Sequence, residues 1–96
     1  MKKTFKLTHE KIAVARLFEA AKHEVSKYLK RERKKPLPEG ADYWDFDCRF
    51  GTEVMKSEEI HLSEISSSID WAESEGLDSF YLEIIARPAH REKSAD

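Results

Sequence analysis

The sequence predicts an α+β domain built as a two-layer sandwich, with one long and one short helix on one face of a three- to four-stranded, mainly antiparallel sheet. Two observations predict this class: two segments carry apolar residues at helical spacing, and other segments alternate apolar and polar residues. In each of these segments only one side is apolar. The predicted element order is β-α-β-(β)-α-β, in a single domain at residues 1–88 followed by a flexible polar tail at residues 89–96.

Length and composition agree with one soluble domain. The chain has 96 residues, of which 40% are hydrophobic and 38% charged, enough for a core and a well-solvated surface. The opening residues lack the apolar run of a signal peptide, and no stretch reaches the roughly 18 apolar residues of a membrane span. The one cysteine, Cys48, suits a reducing compartment, so the sequence predicts a cytoplasmic protein without membrane contact.

The first strand and the long helix open the chain. Residues 3–7 alternate apolar and polar residues, which predicts a short strand with one buried side. Thr8 is the predicted N-cap of a helix from about residue 9 to residue 35, and Pro36 and Pro38 end that helix. Its apolar stripe consists of Val14, Leu17, Phe18, Ala21, Val25, Tyr28 and Leu29.

The middle of the chain predicts two further strands. Residues 43–50 alternate over their whole length, a pattern that predicts a strand with one buried face. Residues 51–59 predict a loop that can hold a weak hairpin, and residues 60–62 predict a short strand that includes His61. The apolar side of the longer strand consists of Trp44, Phe46, Cys48 and Phe50.

The last third predicts a helix and a strand. Residues 63–75 form the helix, with Ser63 as N-cap, Gly76 at the C-terminal cap, and Trp71 expected to join the core. Residues 79–87 form the strand, which Pro88 closes. Ile85 is apolar on the polar side of this strand, so the chain is expected to be a monomer or a weak homodimer.

Charge is divided unevenly along the chain although the net charge is only −2. Residues 1–40 contain 12 lysines and arginines against 5 acidic residues, whereas residues 41–96 contain 5 against 14. Such asymmetry marks either an interaction surface or mutual neutralisation of a basic helix and acidic strands within the molecule. Both interpretations stay open at the level of the sequence.

The end of the long helix is the first candidate binding surface. One or two cations suffice to complement the helix dipole, so the larger number here either contacts a nucleic acid or another polyanion, or only keeps the protein soluble. Such contact would be sequence-independent, because no RNP, KH or zinc-finger pattern and no interleaved aromatic residue accompanies the cations. The cations concerned are Lys27, Lys30, Arg31, Arg33, Lys34 and Lys35.

The polar side of the predicted sheet is the second candidate. Carboxylates beside a histidine can form an acid–base pair or a divalent-metal site, which would make the protein an enzyme. Cross-strand ion pairs on a solvated sheet face explain the same residues without any chemistry. The predicted residues of this face are Asp45, Asp47, Arg49, His61, Tyr81 and Glu83, together with Arg87.

No motif assigns a catalytic residue, a metal ligand or a cofactor. P-loop, GxGxxG, GxSxG and HExxH patterns are absent, and the four histidines lack zinc-ligand spacing. Cys48 shares the buried side of its strand, where a thiol is usually inert. The sequence predicts a non-enzymatic binding or accessory protein with an unidentified macromolecular partner. Nucleic-acid binding through the basic helix end, and an enzyme or metal site on the sheet face, are the alternatives.

Four segments carry a resemblance to a known family. They are MKKTFKLTH at the start, the run ARLFEAAKHEVSKYLKRERKKPLPEG, the strand DYWDFDC, and GLDSFYLEI near the end. Together they resemble a family of short bacterial proteins of unknown function. The resemblance implies a compact cytoplasmic α+β domain and supplies no activity, ligand or catalytic residue.

Overall fold

The chain folds into one four-stranded sheet covered on one side by two helices. A computed structural model describes residues 1–91. All neighbouring strands are antiparallel, and the spatial order is β1-β4-β2-β3. The predicted α+β class is therefore confirmed. The strands are β1 (Lys2–Lys6), β2 (Tyr43–Gly51), β3 (Glu58–Ile60) and β4 (Ser79–Ala89), and the helices are α1 (Val14–Arg33) and α2 (Ile65–Ser74).

The core lies between the sheet and the two helices, and its centre is aromatic. The Phe80 side chain on β4 is 0% exposed. Its ring lies 5.0 Å from the ring of Phe5, 5.4 Å from that of Phe50 and 6.5 Å from that of Phe18. The apolar sides of three strands and of α1 thus meet at one residue, while Ile65, Ile69 and Ala72 bury the apolar stripe of α2 in the same cluster.

The start of α1 differs from the prediction. The helix begins at Val14, five residues later than expected, and Thr8 does not cap it. Leu7 is only 1% exposed, and its N–H donates to the carbonyl of Asp78, so the chain stays extended past the end of β1. Residues 8–13 then carry the chain to the helix layer. Val14, predicted to lie on the buried stripe, is 50% exposed in the first turn.

The start of α2 also differs, because a short 3-10 turn at Leu62–Glu64 precedes it. Ser63 lies inside this turn and does not cap the helix. His61 caps the 3-10 turn, since its ring Nδ1 accepts a hydrogen bond from the N–H of Ser63 at 3.1 Å, and Glu64 is the N-cap residue of α2 without a side-chain capping bond. The alternation of residues 60–62 predicts that His61 lies within a strand. In the structure it lies one residue beyond the end of β3, so this prediction is wrong.

The C-terminal end of α2 confirms the predicted glycine cap. Gly76 has a φ of +65°, a conformation that glycine adopts without steric cost. Its N–H donates to Glu73, and the N–H of Leu77 donates to Ala72, each at 3.1 Å. These two bonds are those of a Schellman motif, which satisfies the last carbonyls of the helix and turns the chain towards β4.

Pro88 does not close the last strand. β4 continues to Ala89, with Pro88 paired opposite Trp44 of β2. Since β1 pairs only with residues 79–83, the other edge of β4 is open at residue 88, and a proline without an N–H is tolerated there. The tail predicted from residue 89 thus begins with a strand residue, and residues 92–96 lie outside the described part of the chain.

Candidate functional site

Six cations in the last turns of α1 and just after it are exposed to solvent. We call this set the basic end of α1; it consists of Lys27, Lys30, Arg31, Arg33, Lys34 and Lys35. Residues 27–35 contain these six cations against one anion, Glu32, a net charge of +5. Within residues 1–91, only Lys35 of the six has a carboxylate within 4.0 Å.

Glu32 belongs to the interior side of this segment. It is 8% exposed, and one of its carboxylate oxygens lies 2.6 Å from Nζ of Lys35. The hydrogen bond from Lys35 holds the pKa of Glu32 below its ordinary value, against the effect of desolvation. The one anion in the segment is therefore neutralised by Lys35. It does not form an ion pair with any of the other five cations.

Two arginines of the basic end lie over aromatic rings on opposite sides of the helix. The guanidinium carbon of Arg31 lies 5.5 Å from the ring centre of Tyr28, and that of Arg33 lies 5.5 Å from the ring centre of Phe46. Stacking of this kind orients the planar guanidinium while leaving its N–H donors free. The two arginines thus have aromatic partners, whereas Lys27, Lys30 and Lys34 have neither an aromatic ring nor a carboxylate as a partner among residues 1–91.

The segment after α1 fixes the basic end against the sheet. The indole N–H of Trp44, at the start of β2, donates to the carbonyl of Lys35 at 2.9 Å. Together with the contact between Arg33 and Phe46, this bond ties the last turn of α1 to β2. The helix end is therefore anchored to the sheet, and its six cations remain exposed.

The polar face of the sheet neutralises its own charge. Arg87 of β4 donates from Nη2 to Asp45 at 2.7 Å and from Nε to Asp47 at 2.9 Å. The phenol of Tyr81 donates to Glu83 at 2.8 Å, and this bond raises the pKa of Tyr81. Tyr81 itself is only 6% exposed, less than its place on a solvated face suggests.

A second row of charges crosses all four strands of this face. The register places Glu83 of β4 between Lys2 of β1 and Arg49 of β2. Arg49 in turn faces Glu59 of β3, and its guanidinium donates to the carbonyl of Ser57 at 2.6 Å. Alternating charges at facing positions favour pairing within the sheet. By register the face carries four cations and four anions: Lys2, Lys6, Arg49, Arg87, Asp45, Asp47, Glu59 and Glu83.

His61 lies at the edge of this face and not on it. It borders an open cleft of about 370 Å³ to which Asp45 and Asp47 also contribute. Its Nδ1 is engaged by Ser63, and both aspartates accept hydrogen bonds from Arg87. Across residues 1–91, no three His, Cys, Asp or Glu side chains form a group that could hold a metal ion. The geometry is that of a salt-bridged surface.

The model of a known protein family matches residues 1–95, nearly the whole chain. The chain belongs to the family of unknown function DUF6172. The resemblance to a family of unknown function is thereby confirmed. Neither the comparison with curated proteins nor that with solved structures found a match to this DUF6172 chain.

Among the described residues of the DUF6172 protein, neither α1 nor α2 is long and apolar enough to cross a bilayer.

Sequence reasoning missed the exposure of two large apolar side chains, Trp71 on α2 and Met55 before β3. Trp71, expected in the core, is 45% exposed and meets the Phe50 ring edge-on, with ring centres 6.3 Å apart. Met55, in the short 3-10 turn at Val54–Lys56, is 91% exposed. The signal available in the sequence was a pair of apolar residues, Val54 and Met55, in an otherwise polar loop.

Cys48 is expected to resist alkylation in the folded protein. It is 1% exposed, and burial, with smaller effects of Asp47 and Asp45, raises the pKa of its thiol to about 11. Because the thiolate is the reactive form, iodoacetamide at pH 8 should react at least about 100-fold more slowly with the folded DUF6172 protein than with protein unfolded in urea. Mass spectrometry of timed samples measures both rates. Rates within about threefold of each other would show that the thiol is accessible.

Proposed function

We propose that this DUF6172 protein is a non-enzymatic binding protein whose basic end of α1 contacts a nucleic acid. The observation that supports this most is the set of five exposed cations without a carboxylate within 4.0 Å in residues 1–91. Cations that neutralise backbone phosphates release condensed counterions, which is the main source of non-specific affinity. A surface without such a role gains little from leaving five charges uncompensated.

The contrast with the sheet face supports the same assignment. There, four cations and four anions alternate across the strands, so the face offers little net field to a charged partner. At the basic end, the single anion is buried and paired. On the sheet face the charges of the two halves of the chain thus compensate each other, whereas the charge of the basic end is available to a partner.

Recognition is proposed to be sequence-independent. Lysines on one exposed helix side attract phosphates but do not read base edges. Tyr28 and Phe46 are covered by Arg31 and Arg33 and so do not offer stacking surfaces to bases, while the half-buried indole of Trp44 is bonded to the carbonyl of Lys35. Charge is the property that this surface presents to a partner.

The test replaces three exposed lysines of the basic end that lie on one side of the helix, at steps of three and four. A Lys27→Gln, Lys30→Gln, Lys34→Gln variant should bind a labelled single-stranded oligothymidine at least about tenfold more weakly at 50 mM salt. Its plot of log affinity against log salt should be flatter by about two units, since each lost phosphate contact contributes about 0.7. Fluorescence anisotropy at several salt concentrations measures both quantities.

A matched control removes the same charge elsewhere. Lys6, Lys11 and Lys56 are exposed and lie outside the basic end, so their replacement by glutamine should change affinity less than about threefold. Equal losses in the two triple variants would show that only net charge matters. The absence of wild-type binding at 50 mM salt, or a preference for one base sequence, would also contradict the proposal.

The setting we propose is the bacterial cytoplasm. The resemblance to short bacterial proteins and the single buried thiol support this location. A monomer or weak homodimer is proposed because Ile85, 38% exposed on the open sheet face, is surrounded by charged residues. One isoleucine among charges offers little area for a stable interface.

A further inference from the structure

A groove runs along α1 on the side away from α2 and ends at the chain start. It has a volume of about 730 Å³, and successive turns of the helix form its wall. The wall residues recur at steps of three and four, so they share one helix side. They are Ala20, His23, Glu24, Lys27, Tyr28 and Arg31, with Met1 on the opposite side.

Tyr28 is fixed in the floor of this groove. Its hydroxyl accepts a hydrogen bond from the Met1 ammonium at 3.1 Å and lies 3.3 Å from the carbonyl of Ile84, to which it donates. The Met1 ammonium also donates to the Ile84 carbonyl at 2.6 Å. The phenol ring on which Arg31 lies is therefore held from its far end, and the guanidinium is positioned before any ligand arrives.

The positive charge of the groove is not compensated within it. Its one carboxylate, Glu24, is bound by both oxygens to Nζ of Lys3, at 2.7 and 2.8 Å. Lys27 and Arg31 have no carboxylate within 4.0 Å in the described chain. Burial lowers the pKa of the Met1 ammonium, and Arg31 and Lys2 act in the same direction although Glu32 and Glu83 oppose them. The lowered pKa is therefore an effect of burial, since the two carboxylates act more strongly on Met1 than the two cations do.

We propose that this groove binds a single phosphate group, held by the guanidinium of Arg31 in bidentate fashion and by the ammonium of Lys27. A planar guanidinium matches two phosphate oxygens, and a lysine adds a point charge. This inference rests on the proposed function, because the phosphate is supplied by the nucleic acid that contacts the basic end. It goes further by placing one phosphate at a defined position beside the exposed lysines.

The geometry distinguishes Arg31 from Arg33, which gives the test its control. Both arginines lie 5.5 Å from an aromatic ring, both are exposed, and they are two residues apart. Only Arg31 borders the groove at Met1, whereas Arg33 borders a separate groove with Leu29 and Lys34. Replacing either by lysine keeps the charge and removes the planar pair of donors.

Inorganic phosphate is the first probe, with sodium chloride at matched ionic strength as reference. In nitrogen–proton NMR spectra of the wild type, phosphate should shift the Nε–H signal of Arg31 and the amides of His23 and Lys27. Arg31→Lys should weaken phosphate binding at least about fivefold, whereas Arg33→Lys should change it less than about twofold. Equal effects of the two variants, or equal shifts with chloride, would overturn the inference.

A single-stranded oligonucleotide is the second probe and separates the inference from the proposed function. If the oligonucleotide binds and Arg31→Lys weakens it more than Arg33→Lys does, both are supported. If it binds equally well to the two variants, the proposed function stands and the phosphate groove is overturned. If it does not bind while phosphate still shifts Arg31, the groove is supported with a free phosphorylated molecule as its ligand, and the proposed function fails.

Discussion

Replacement of Phe80 by alanine is expected to lower the free energy of unfolding by about 3–5 kcal/mol, the range for large aromatic residues in well-packed cores. Phe80 is 0% exposed and is in ring contact with Phe5, Phe18 and Phe50. Three strands and α1 lose packing contacts together when it is removed. The surrounding rings are held by different elements, so they cannot close the cavity without moving a strand or a helix. Urea unfolding followed by circular dichroism measures the loss.

Ile85→Ala is the matched control, because Ile85 lies on the same strand but on its polar side and is 38% exposed. Its loss should cost about 1 kcal/mol or less. If Phe80→Ala leaves no folded population, Phe80→Leu should still fold and should cost less than Phe80→Ala, because the leucine side chain fills part of the cavity. Equal losses of stability at residues 80 and 85 would show that both sides of β4, and not only the side of Phe80, are packed in a core.

Gly51→Ala is expected to lower the free energy of unfolding by about 3 kcal/mol, at the upper end of the range for overpacking. A Cβ atom at residue 51 would lie 2.6 Å from Cα of Ser57, 2.7 Å from the carbonyl oxygen of Lys56 and 2.8 Å from the Ser57 nitrogen. These are backbone atoms, so no side-chain rotation relieves the clash. The hairpin between β2 and β3 must open, which breaks the hydrogen bond from Arg49 to Ser57. Chemical denaturation measures the loss.

Two further variants check the cause of that loss. Thr52→Ala, at the exposed neighbouring position, should leave stability within about 0.5 kcal/mol of the wild type. Ser57→Gly added to Gly51→Ala should not restore stability, because the close atoms remain when the serine side chain is removed. A full rescue by Ser57→Gly would mean that side chains, and not backbone, limit the approach.

The parts of the fold that the sequence predicts well are those with a strong local pattern. Alternation over residues 43–50 places Phe46, Cys48 and Phe50 in the core as expected, and half-buries Trp44. Gly76 is identified correctly because a helix end needs a residue that tolerates a positive φ. In both cases the physical cause acts within a few residues of the signal.

The parts that are predicted wrongly depend on distant contacts. Thr8 is a good N-cap by composition, but burial of Leu7 and its bond to Asp78 keep the following chain out of the helix. Pro88 is a good strand end by composition, but the short length of β1 leaves an open edge where proline fits. Strand order decides both outcomes, and no local pattern in the sequence encodes it.

The candidate site follows the same division. The cations of the basic end are evident from the sequence, and all six lie exposed where the helix ends. Which of them are held in place is not evident, since Arg33 meets Phe46 only after β2 has packed against α1. The link between Tyr28 and Met1 likewise joins residues 27 positions apart. The spacing of residues along α1 is enough to identify the cations of the basic end. The positions of their side chains depend on tertiary packing.

The inner position of β4 has a consequence during translation. Within the described chain, β1 pairs with β4 alone, and β4 is the last strand to leave the ribosome. Until Ser79 and the residues after it emerge, the nascent polypeptide can form only the hairpin of β2 and β3 beside two helices that lack their contacts with β4. Native assembly is therefore postponed until β4 has emerged, and the exposed stripes of α1 and α2 are the segments that a chaperone would need to shield meanwhile.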